Sequence, residues 1–121
     1  MPRYAALIYG ATVNPATPEE MAAEIAEYTA FGDAAGAAGI IAGGEALQDT
    51  ATATTLHRPG GKDSDVVHTD GPFAETKEVL GGFYLLDCAD LDEALRWAAQ
   101  IPGTWRGRVE VRPCVDFEAG Q

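Results

Sequence analysis

The chain is predicted to fold as α+β, as a ferredoxin-like split βαβ unit with an inserted hairpin. Three observations predict it. Strand-like and helix-like patterns follow in the order strand, helix, strand, hairpin, strand, helix, strand. Two capping boxes, Thr17-Pro18-Glu19-Glu20 and Asp90-Leu91-Asp92-Glu93, open just two long helices. The segments 4–9 and 83–86 are apolar on both alternating faces, as in strands covered on both sides. No repeat or linker divides the sequence, so residues 1–121 form one domain.

Arg3-Tyr4-Ala5-Ala6-Leu7-Ile8-Tyr9 is the first strand, and a loop runs from Gly10 to Thr17. Thr17 caps the first helix, Pro18 takes its first position and Glu20 closes the box. Met21, Ile25, Tyr28 and Ala35 then share one face, and the helix ends near residue 37. Ile40 to Gln48 reads as a strand interrupted by Gly43-Gly44. The threonine-rich stretch to Arg58, the turn Pro59 to Asp65 and Val66-Val67-His68-Thr69 form a hairpin. Residues 80–87 are the next strand. Leu91, Ala94, Leu95, Ala98 and Ile101 make the second helix's stripe, which Pro102-Gly103 ends. Gly107 to Cys114 is the last strand.

Two helices cover one face of such a sheet. The other face is predicted to pair with a second copy, giving a homodimer, because small sheets do not leave a broad apolar face in water. With 19 acidic against 8 basic residues the net charge is −11. That balance excludes nucleic acid and anionic membrane surfaces as partners. The N-terminus lacks the long apolar stretch of a signal peptide, so a cytoplasmic location is expected. Cys88 and Cys114 lie outside any metal-type spacing and end on strands that are not neighbours, so both are expected as free thiols.

The most informative stretch is Asp70-Gly71-Pro72-Phe73-Ala74-Glu75-Thr76-Lys77-Glu78, followed by Val79-Leu80-Gly81-Gly82-Phe83. Asp-Gly-Pro is turn chemistry, and Gly81-Gly82 marks a bulge or a place where something approaches the backbone closely. This stretch resembles the signature of the YCII-related proteins of the DGPF type. Further pieces fit in order: Ala35-Gly36 through Ile40-Ile41, Gly44-Glu45-Ala46-Leu47, Thr52-Ala53-Thr54-Thr55, Asp92-Glu93-Ala94 and Val109-Glu110-Val111-Arg112-Pro113. The resemblance extends from about residue 3 to about residue 117. It implies a dimeric α+β barrel and an association with extracytoplasmic-function sigma factors, but names no substrate. Some members resemble lyases that use a histidine in the first helix. Residues 18–37 contain none, so that mechanism does not carry over.

Two classes of function fit. One is a cofactor-free enzyme performing acid/base chemistry, a lyase or isomerase, on a small polar or anionic molecule in a dimer cavity. The other is a non-catalytic ligand-binding or regulatory accessory protein. For the first, Asp70 and His68 are the candidate acid/base pair, since a carboxylate orients and tunes an imidazole. Asp70 as a turn cap and His57 and His68 as surface histidines are the alternatives. Arg112 offers a donor fork for a carboxylate or phosphate, with Glu110 beside it. The two could also simply pair with each other. Glu75, Lys77 and Arg58 are the further ligand-binding candidates. His68, Asp70 and Glu75 match no metal-ligand pattern, so no metal is expected, and no cofactor motif is visible.

Overall fold

The computed structural model describes residues 1–11, 17–74 and 77–119. Its centre is β1 (Arg3–Ala11), which pairs antiparallel with β5 (Glu78–Asp87) on one side and β6 (Arg108–Pro113) on the other. β2 (Ile41–Ala46) adds outside β5, giving the order β2-β5-β1-β6. This is the expected split βαβ arrangement, with β5 and β6 flanking β1. The inserted hairpin is β3 (Thr54–His57) against β4 (Val67–Asp70), a separate two-stranded sheet.

Register decides which side chains meet the helices. Tyr4 lies opposite Leu86 and Pro113, and Ala6 opposite Tyr84 and Val111. With period two these positions share one face. There Tyr4, Ala6 and Leu86 are buried against Phe31 and Ala35 of α1 (Pro18–Ala37) and Ala94 and Ala98 of α2 (Leu91–Ala98). The other face carries Ala5 and Leu7 beside Leu85, Phe83, Arg112 and Glu110.

Both predicted caps form. Thr17 Oγ1 accepts from the Glu20 N–H at 3.1 Å, and Asp90 Oδ1 from the Glu93 N–H at 2.9 Å. The second helix is shorter than its stripe suggests. It stops at Ala98, and after a turn a four-residue helix α3 (Gly103–Arg106) follows. Pro102 starts this helix rather than only ending the previous one, because a helix's first positions need no N–H partner. Cys88 is buried and Cys114 half-buried, both as free thiols. No helix among the described residues is long and apolar enough to cross a membrane.

The signature is tied to the hairpin through backbone. Gly71 adopts a φ of 100°, open to glycine, and its N–H donates to the Ala53 carbonyl at 2.7 Å. Its own carbonyl accepts from Thr55 Oγ1 at 2.8 Å.

A candidate ligand cleft between the first helix and the sheet

The C-terminal half of α1 is seated by Phe31 and Ala35, but its N-terminal half stands away from the sheet. Met21 and Ile25 remain 53% and 62% exposed although they lie on the inner stripe. Opposite them the sheet carries Gly44 and Gly82, which have no side chains to fill the gap. A cleft of about 790 Å³ results, within the range of small-molecule sites, roughly 300–1,000 Å³.

The glycines are dictated by strand packing. A Cβ on Gly82 would lie 2.8 Å from the Glu45 carbonyl oxygen, and one on Gly44 would lie 2.5 Å from that of Phe83. Gly44 also holds a φ of 152°. The close approach anticipated at Gly81-Gly82 is thus the neighbouring strand β2, and the empty space it leaves faces α1.

The walls are mainly apolar, with Ile8, Met21, Ile25 and Leu47 among them. The charged groups of the lining are Glu24, Glu45 and Arg106, and Tyr28 and Tyr84 are among its neutral polar groups. Burial, reinforced by Glu24 and Tyr84, pushes the Tyr28 phenol above its ordinary pKa, against smaller opposing effects of Arg106 and the Gly103 N–H. Burial also raises Tyr84, whose ring packs on Phe31 at 5.0 Å between centroids. Both phenols are therefore neutral O–H groups at neutral pH. Arg106 Nε donates to Glu27 Oε1 at 2.9 Å, and its Nη1 lies 3.9 Å from Glu24 Oε2. Trp105 Nε1 donates to the same Glu27 oxygen at 3.2 Å.

The residues singled out in the sequence lie elsewhere. β4 continues through His68 and Asp70, which therefore share one face of the hairpin, opposite Leu56 and Thr54, and both are exposed. His57 pairs with Val67 and so lies on the other face. Glu110 and Arg112 are brought together on the helix-free sheet face, where Arg112 Nε donates to Glu110 Oε2 at 2.6 Å. That hydrogen bond, ahead of the Coulomb attraction, raises the guanidinium pKa. Arg58 donates to the Ser64 carbonyl and closes the hairpin loop. Lys77 is exposed, and Glu75 lies outside the described residues. None of these seven described residues lines the cleft. Among the described residues no three His, Cys, Asp or Glu side chains converge as a metal site.

Sequence reasoning placed Tyr28 on the inner stripe and marked Gly81-Gly82, the two signals that point here. It missed Glu24 and Arg106 as site residues. Arg106 comes from the short α3, which the pattern presents only as a helix end.

The model of the YCII-related domain matches residues 3–118. An uncharacterized protein of Rhizobium meliloti (strain 1021) is 49% identical over 76 residues, which is 60% of this chain and 56% of that protein. The match thus spans little more than half of that curated relative's length.

Proposed function

The chain belongs to the YCII-related domain family, and within it we propose that the protein binds a small, largely apolar organic molecule bearing a polar oxygen. The site is the cleft between α1 and the sheet. One observation carries this reading: Met21 and Ile25 face open space above a glycine floor, where a packed core would have closed. Apolar surface left facing a concave gap gains by covering, at about 25 cal/mol per Å². Tyr28 supplies a neutral donor at the inner end. Binding requires no cofactor in this reading.

The proposal includes the homodimer. On the helix-free face Ala5, Leu7, Phe83 and Leu85 lie on adjacent strands β1 and β5, a surface suited to a second copy. The cleft opens on the opposite face, so each subunit would carry its own site.

The test is a fragment screen by ligand-observed NMR with Ala46→Trp as the counter-screen. Ala46 is exposed on the edge strand β2 and lines the cleft, so an indole there fills the space without entering the core. Aromatic alcohols and ketones should bind wild type and lose binding to Ala46→Trp at unchanged melting temperature. Equal binding to both proteins would overturn the reading.

A further inference from the structure

We infer that Glu27 sets the ligand class of the cleft: by holding Arg106 it reserves the site for uncharged amphipathic molecules and excludes carboxylates. The inference rests on the cleft reading above and adds the charge of the ligand.

Arg106 is the one cation among the described residues lining the cleft. A lone arginine in an apolar cleft would ordinarily recruit an anion. Here its Nε is taken by Glu27 at 2.9 Å, and Glu24 stands at 3.9 Å from Nη1. Two carboxylates against one guanidinium leave the mouth with an excess negative charge. Glu27 is itself fixed by two donors on one oxygen, Arg106 Nε and Trp105 Nε1, which join α1 to α3. An entering carboxylate would have to displace a covalently tethered competitor or add a third negative charge to the cluster. Either is repulsive specificity against anions. The net charge of −11 adds a repulsive field at longer range.

The donors that remain suit a neutral acceptor. Tyr28 lines the cleft with its oxygen beside Gly103, and its neutral phenol is an O–H donor there. A ligand hydroxyl or carbonyl oxygen can accept from it, while the ligand's ring or alkyl body covers Ile25, Met21 and Ile8. An aryl or alicyclic alcohol or ketone has this chemistry.

The experiment is calorimetric titration at neutral pH with two probes of one shape, 1-naphthol and 1-naphthoate. The proteins are wild type, Glu27→Gln, Ala46→Trp and the double variant Glu27→Gln/Arg106→Gln. Wild type should bind naphthol about tenfold tighter than naphthoate. Glu27→Gln keeps a carbonyl acceptor for both Trp105 and Arg106 but removes the negative charge that neutralises the guanidinium. It should tighten naphthoate about fivefold or more and change naphthol less than about twofold. The double variant should return naphthoate to its weak binding. Naphthoate binding to wild type as tightly as naphthol overturns the inference, whatever Glu27→Gln does. So does a Glu27→Gln protein with unchanged naphthoate affinity. Those two outcomes leave the cleft reading intact. Failure of both probes on wild type, or equal binding by Ala46→Trp, removes the cleft reading and this inference together.

Discussion

Replacing Gly82 by alanine tests whether strand packing creates the cleft's glycine floor. The added Cβ would stand 2.8 Å from the Glu45 oxygen and 3.3 Å from Ala46 Cα. Both are backbone atoms of β2, held in register with β5 through the Glu45–Phe83 and Ala46–Gly82 pairs. Neither can rotate away as a flexible side chain could. Relief requires β2 to shift, which weakens the ladder bonds at the sheet's edge. Overpacking of this kind costs about 1–3 kcal/mol, and a middle value of about 2 kcal/mol lowers the melting temperature by roughly 6–12 °C at this chain length. Gly32→Ala is the control. Gly32 lies inside α1, where an added Cβ meets nothing within 4 Å. That change should stabilise by about 0.5–1 kcal/mol, since glycine is a poor helix former. Differential scanning calorimetry of the three proteins reads both effects. A Gly82→Ala melting temperature within about 2 °C of wild type would refute the packing argument.

Tyr28 and Tyr84 carry raised pKa values in the folded state. Their stabilising contribution is full below the ordinary tyrosine range and is lost as pH rises through the folded values. Tyr28→Phe should therefore flatten the alkaline fall in stability, measured as melting temperature against pH. The Asp87 carboxyl is held below its ordinary value chiefly by its hydrogen bond from Arg3, at 2.8 Å. Its contribution is present above the ordinary carboxylate range and is lost as pH falls through the depressed value. The melting-temperature gap between wild type and Asp87→Asn should therefore close on acidification. A thiol reagent should modify half-buried Cys114 quickly and buried Cys88 only on unfolding, giving two phases of equal amplitude by absorbance. Light scattering should report a dimer at micromolar concentration, with a total interface of roughly 1,600 Å² or more. Leu7→Glu on the helix-free face should shift it to monomer.

The fold was legible because its determinants are local. Two capping boxes and the apolar strand runs each lie within a few residues and formed where expected, whereas Pro102-Gly103 opens α3 instead of only ending α2. The strand limits moved by a few residues, since β5 gains Glu78 and Val79 and β2 ends at Ala46. Those ends are set by pairing partners distant in sequence. The site was less legible for the same reason. Its donors and walls come from α1, β2, β5 and α3, and no short motif joins Tyr28 to Arg106. The charged signature drew attention to Asp70, yet its described backbone contacts, Gly71 to Ala53 and Thr55 to Gly71, bind the turn to the hairpin. Glu78 accepts from Arg108 at 3.0 Å and so ties the end of the signature to β6. The glycines were legible as marks of close approach. What they leave empty became visible only with α1 placed above them.

The central claim, that the ligand lies between α1 and the sheet, is tested most directly by amide chemical-shift mapping of the isotope-labelled protein titrated with 1-naphthol. The account predicts that shifts concentrate at Met21–Thr29, Gly44–Leu47, Gly81–Tyr84 and Gly103–Gly107 and disappear in Ala46→Trp. Shifts centred instead on Val67–Asp70 of the hairpin, or on Glu110 and Arg112 of the helix-free face, would contradict it.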